Sequence, residues 1–137
     1  MAPGTITVRH DERDSFEISI RGHQLVVDQP LEDGGRDSGP TPTELCVASL
    51  AGCVAHYARR FLARHGLPDD VTVTADWSMA RPPARVGSVI LTIATCDMPE
   101  QLVPRFERTI AHCTVHNTLE QPPEVTFKVV GRLRRAS

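Results

Sequence analysis

Residues 39–65 read GPTPTELCVASLAGCVAHYARRFLARH, and this stretch decides the fold. Thr41, Pro42 and Glu44 form a helix start: an N-cap hydroxyl, a proline at the first helical position and a carboxylate three residues after the cap. From Leu45 to Ala55 there is no charged side chain. Ala48, Ser49, Ala51, Gly52 and Ala55 are small, so a second backbone can come close to this helix. Cations appear only towards its end, at Arg59, Arg60 and Arg64, where they suit the negative pole of the helix. Gly66 and Pro68 stop it. A helix apolar nearly all round at its start is a buried one.

Outward from this helix, the pattern is of strands. Ile6 and Val8 alternate with polar residues, as do Phe16, Ile18 and Ile20, with a turn at HDERD between them. Residues 5–21 therefore read as a hairpin, and Gln24 to Asp28 as a third strand. Residues 29–40 (QPLEDGGRDSGP) are a loop feeding the helix. Val71, Val73, Ala75 and Trp77 give a strand, RPPAR (81–85) breaks it, and Val89, Leu91 and Ile93 give its partner. Asp97, with Glu100 at the capping-box position, starts a second helix carrying Leu102, Phe106 and Ile110 on one face. Pro104 argues for a kink in it, or for a true start nearer Val103. Cys113 opens a short helical turn, and Val125, Phe127 and Val129 form a last strand. The order β-β-β-α-β-β-α-β predicts an α+β fold with helices on antiparallel sheet, in a single domain over 1–137. The helix over 44–65 is more apolar than a small sheet needs, and its surplus face calls for a second copy of the chain.

The bulk properties exclude several classes. The 137 residues carry 15 basic and 17 acidic side chains, a net charge of −2, which gives the whole chain no electrostatic case for nucleic acid. No apolar run approaches a membrane span, and MAPGTITVRHDERD lacks the apolar core of a secretory signal. A cytoplasmic location is expected, where the four cysteines are thiols, redox groups or metal ligands rather than structural disulfides.

Two cysteines stand in structured contexts. Cys53 lies mid-helix among apolar residues, where burial alone raises a thiol pKa and makes it inert. Its reactivity needs an arginine from elsewhere and an acid to hold that arginine, for which Glu44 is a candidate. Cys113, at a helix start, has the dipole to help it. The plainer readings are that Cys53 is a small core residue and Glu44 a capping carboxylate. Cys46 and Cys96 read as packing residues. A zinc site is a further alternative: Cys53/His56 and Cys113/His116 are two C-x-x-H pairs, with His112 adjacent.

The run GPTPTEL…ASLAGC, followed some 60 residues later by CTVHNTLE and a final strand, resembles the OsmC/Ohr superfamily of osmotically induced and organic-hydroperoxide-resistance proteins. The resemblance covers nearly the whole chain. It implies an intertwined homodimer with two long helices at its centre and active sites where the subunits meet. It implies that Cys53 is the peroxidatic cysteine and Cys113 the resolving one, with a small thiol or dithiol as external reductant, a small organic hydroperoxide as substrate, and no metal or other cofactor. The hydroperoxide-resistance branch activates its first cysteine with a hairpin arginine and a glutamate near the helix start. Arg13 fits the former, with Arg36 and Arg9 as competitors. Glu44 is one residue nearer the cysteine than that glutamate, whose place Thr43 holds. CTVHNTL resembles the general OsmC-like branch more, and with it the alternative of a dimeric small-molecule-binding or redox-sensing protein without efficient peroxidase turnover.

Overall fold

A computed structural model describes residues 2–131; the expected domain limits, 1 and 137, lie outside them. Three short strands, β1 (Thr7–His10), β2 (Phe16–Ile20) and β3 (His23–Val27), form an antiparallel meander. The 23-residue helix α1 (Pro42–Arg64) follows. Next come the hairpin β4 (Thr72–Ala80) and β5 (Arg85–Ala94), and then helices α2 (Val103–Ala111) and α3 (Thr114–Glu120). The fold is α+β with two separate antiparallel sheets.

The start of α1 is as the sequence predicts. Thr41 Oγ1 accepts the Glu44 backbone N–H at 3.0 Å, and Glu44 Oε1 accepts that of Thr41 at 2.9 Å, a reciprocal capping box. The burial of α1 is narrower than its composition predicts. Val47, Leu50, Val54, Ala58, Phe61 and Leu62 form one buried stripe, whereas Cys46, Ala48, Ser49 and Gly52 are exposed. Cys46 is thus no packing residue in this chain. Cys96 is one, lying against the Phe61–Phe106 cluster.

The core has two parts joined through Ile93 and Ile110. Ala58, Phe61 and Leu62 meet Phe106 of α2, the two phenyl rings edge to face at 5.4 Å. Leu50 and Val54 meet Cys113, with Val73, Val89 and Leu91 of the hairpin beneath them.

Two expectations need correction. The second helix is not capped by Asp97. It starts at Val103 after a single 3-10 turn at Glu100–Leu102, and its N-cap, Leu102, offers no side-chain bond. Pro104 in the first turn sets that start, since its missing N–H costs nothing there. The predicted last strand is the second correction. Residues 122–131 join neither sheet, and Val125, Phe127, Val129 and Val130 stand 66–97% exposed. They alternate with Glu124, Thr126 and Lys128 as a strand does, but among the described residues no strand offers them a ladder. The β1–β3 sheet is held to the loop before α1 but makes at most marginal contact with the helices and the β4–β5 hairpin, and Ile6, Val8, Leu25 and Val26 are exposed on it.

The loop before α1 is held by Asp28, a residue that no local sequence rule singles out. Its buried carboxylate accepts the Ser38 hydroxyl at 2.6 Å and the backbone N–H groups of Ser38, Arg36 and Gln29. Gly35 and Gly39 are required here: a Cβ on either would collide with the carbonyl of Gln29 or Val26. The Ser38 hydroxyl first, then the backbone donors, lower the Asp28 pKa from 3.8 to about 2. A pKa lowered by folding contributes stability above the unfolded value that is lost as pH falls through the folded one. Thermal melts should therefore show wild type losing stability steeply as pH drops from about 4 towards 2. Asp28→Asn should melt lower at pH 7 and with a flatter pH dependence; parallel curves for the two proteins would refute the latch.

Candidate functional site

Cys53 and Cys113 come together. Cys53 lies on the flank of the buried stripe of α1 and packs, half-buried, into the cluster formed by Leu50, Val54 and Cys113. Cys113 is the N-cap of α3 and has no solvent exposure; its Sγ accepts the His116 backbone N–H at 3.4 Å. Both are free thiols. Tyr57, one turn beyond Cys53 on the same side of α1, reaches across to α3 and shares a 2.9 Å hydrogen bond between its hydroxyl and Thr114 Oγ1. This tie, unforeseen in the sequence, pins the turn that carries Cys113 to the helix that carries Cys53.

The electrostatics reverse the expectation that the helix start makes Cys113 the acidic thiol. Burial pushes its pKa up, the hydrogen bond and charge of Cys53 push it further, and the backbone donors of His116 and Val115 oppose this without prevailing. Cys113 is therefore held as a thiol beside Cys53. A seven-residue helix with a desolvated N-cap gives too little field to offset the loss of water.

The other candidates lie elsewhere in the chain. Glu44 is exposed and engaged in its capping box, which lowers its pKa. Arg13 sits in the β1–β2 turn with a positive φ of 52°, and its guanidinium donates to the Gly34 carbonyl at 3.2 Å. Arg36 pairs with Glu12, and Arg9 is exposed on β1. All three belong to the N-terminal sheet and its loop, so within one chain none is brought to Cys53. The metal alternative is not assembled: among the described residues no three His, Cys, Asp or Glu side chains group to hold an ion. His116 uses Nδ1 on the Ala111 carbonyl at 2.6 Å and Nε2 on Glu120 at 3.0 Å, and His56 points to solvent.

An apolar cavity of about 330 Å³ opens beside the thiols, lined by Leu50, Val54, Val89, Leu91 and Ile110 with Glu107 and His116 at its edge. It shares Leu50 and Val54 with the wall over Cys113.

The family model described as OsmC-like protein matches residues 35–128, more than half of the chain. The chain belongs to the OsmC family. No curated protein matches it. Among solved structures, a protein described as osmotic stress induced and detoxification response, from Psychrobacter arcticus, is 20% identical and superposes with a TM-score of 0.77 over 86% of this chain and 89% of that one. An organic hydroperoxide resistance protein OsmC from Legionella pneumophila is 21% identical, with a TM-score of 0.65 over 87% and 91%. An OsmC-like protein from Mycoplasma pneumoniae is 18% identical, with a TM-score of 0.73 over 88% and 89%. At these identities the likeness is one of fold, and it confirms the OsmC-like α+β architecture.

The thiol environment of this OsmC-family chain makes a graded labelling prediction. Iodoacetamide followed by mass mapping should modify exposed Cys46 first and Cys113 last, with Cys113 reacting only as pH rises well above that of an ordinary thiol. Because Cys53 raises the Cys113 pKa, Cys53→Ala should shift the Cys113 labelling profile to lower pH. An unchanged profile would mean the two sulfurs do not interact.

Proposed function

We propose that the protein is a thiol-dependent peroxidase that reduces small organic hydroperoxides and serves in oxidative-stress defence. The observation that carries this reading is the buried Cys113 thiol held against the half-buried Cys53 sulfur. The Cys53 thiolate attacks the distal peroxide oxygen; the O–O bond breaks, the alkoxide takes a proton to leave as an alcohol, and Cys53 becomes a sulfenic acid. Cys113 then attacks the Cys53 sulfur, releasing water and leaving an intramolecular disulfide. An external thiol or dithiol restores both groups by exchange and is itself oxidised to a disulfide. The apolar cavity beside Leu50 and Val54 suits the organic part of the peroxide. No metal or cofactor enters the cycle.

We place this chemistry in a homodimer. A β1–β3 sheet with no core of its own, a bare face on α1 and an unpaired apolar segment at 125–130 are three surfaces that a second copy covers by intertwining. The intertwining would set the two long α1 helices at the centre. The same exchange would bring Arg13 of one chain to Cys53 of the other, the cation that Cys53 lacks within its own chain, with Glu44 to orient it.

The second reading is a dimeric binding or redox-sensing protein without efficient turnover. It is favoured by one observation: Arg13, Arg36 and Arg9, the arginines expected to activate Cys53, all lie on the N-terminal sheet and its loop, away from Cys53 of their own chain.

Stopped assays separate the two. Organic hydroperoxide should convert Cys53 and Cys113 to a disulfide, a loss of about two hydrogen masses per chain, and excess dithiol should sustain consumption. Cys53→Ser should abolish consumption, whereas Cys113→Ser should leave a trappable sulfenic acid on Cys53. Consumption by Cys53→Ser at the wild-type rate would end the proposal. For the assembly, sedimentation should give twice the 15.1 kDa chain mass. Phe127→Asp should weaken the dimer by at least about 3 kcal/mol, since a two-fold assembly loses the side chain twice.

A further inference from the structure

A groove between α1 and α2 is left unused by the chemistry above. One part, of about 360 Å³, is lined by Tyr57, Phe61, Arg60, Arg64, His65 and Arg105. It runs into a second part of about 450 Å³, lined by Tyr57, Arg105, Arg108, Thr109 and His112. Four arginines and two histidines thus face one trough that has no carboxylate in its wall. Among the described residues, none of Arg60, Arg64, Arg105 and Arg108 makes an ion pair, although Arg59, the residue before Arg60, pairs with Asp69 at 2.9 Å. The chain as a whole carries a net charge of −2, so this concentration of cations is local. Arginines without partners around a concave, aromatic-floored trough are suited to bind a planar oxyanion, which the guanidinium fork grips through two hydrogen bonds.

The place of the groove gives its use. Cys53, Tyr57, Arg60 and Arg64 follow one another at spacings of four, three and four residues, a stripe along one side of α1. Tyr57 belongs to both ends: it lines the groove and packs into the Cys53–Cys113 cluster. From Cys53 to Arg60 is about 10 Å along the helix axis, and helical side chains lean towards the N-terminus, which carries the guanidiniums back towards the thiols. The cavity for the peroxide is apolar and shares no lining residue with the groove. The two substrates of a two-step thiol cycle therefore have two approaches of opposite chemistry.

We propose that the Arg60–Arg64–Arg105–Arg108 groove binds the carboxylate of an anionic thiol and that this thiol is the reductant of the Cys53–Cys113 disulfide. The proposal rests on the peroxidase reading for the reductant's role, and on the groove alone for anion binding. In the reduction, a thiolate attacks one protein sulfur, the second protein sulfur leaves as a thiolate, and a mixed disulfide forms. A second thiol molecule then attacks the mixed disulfide, so that two thiols become one disulfide and the protein regains both thiols.

The test uses the full-length protein oxidised with diamide, so that it does not depend on peroxide chemistry. Rates of reduction by 3-mercaptopropionate and by neutral 2-mercaptoethanol are each divided by that thiol's rate on a small disulfide. The carboxylate thiol should be preferred by about tenfold, and the preference should fall with added salt. Arg60→Gln/Arg105→Gln should erase it, and the double Lys variant should retain part of it. Succinate, which is redox-inert, should bind reduced wild type in calorimetry and not the Gln variant. No preference for the carboxylate thiol would overturn the reductant assignment even if peroxide consumption is intact. Absence of succinate binding would overturn the site itself. Inorganic phosphate bound tightly enough to block succinate, with no thiol preference, would also overturn the assignment.

Discussion

Leu50 and Val54 close over Cys113, and the chemistry of the site depends on that contact. It strips water from one sulfur while leaving its neighbour, Cys53, half-exposed on the flank of the same helix. Two identical groups are thereby made unlike. The desolvated thiol keeps its proton, while its neighbour keeps access to solvent. A pair of thiols in matching surroundings would have no such polarity, and either could be attacked first. Here the direction is set by packing, with the backbone donors at the start of α3 as the weaker, opposing influence.

Keeping that contact requires α3 to stay where it is, and the chain spends little structure on this. α3 has seven residues and buries none of its own side chains; it is held by its N-cap in the core and by the Tyr57–Thr114 hydrogen bond. The β4–β5 hairpin supports it from below through Val73, Val89 and Leu91. At the other end, Asp28 fixes the loop that delivers Thr41, so that the capping box starts α1 in register. The start of α1, twelve residues before Cys53, is thus set by the Thr41 hydroxyl at the end of a loop that the Asp28 carboxylate holds.

Much of this was legible in the sequence because it follows from local rules. Thr41, Pro42 and Glu44 define the start of α1 whatever surrounds it, and the period-two runs at 16–20 and 89–93 define strands. The Cys53–Cys113 pairing came from resemblance, since spacing along the chain says nothing about side-chain direction at a turn. The failures are of another kind. Asp97 had the right neighbour for a capping box but lost to Pro104, which fixes φ where a helix must begin. Cys46 and residues 125–130 look buried in sequence and are bare in the chain. Their patterns record surroundings that one chain does not supply. Asp28, Arg105 and Arg108 gave no signal, and Arg60 and Arg64 read only as helix-end cations, because their joint meaning arises only when distant segments meet.

The bare surfaces follow from the same logic as the polarised thiols. A 137-residue chain with one long helix can give that helix a single buried stripe, and here the stripe is used to wall off Cys113. The opposite face, built from Ala48, Ser49 and Gly52, then has small residues suited to close approach and nothing in the chain to approach it. Filling that face with the N-terminal sheet of the same chain would leave the hairpin turn, with Arg13, on the solvent side. Filling it from a second chain places cationic turn and thiol in different polypeptides. In that arrangement the cation that activates Cys53 would come from the partner, and the reactive state of Cys53 would belong to the dimer rather than to the single chain.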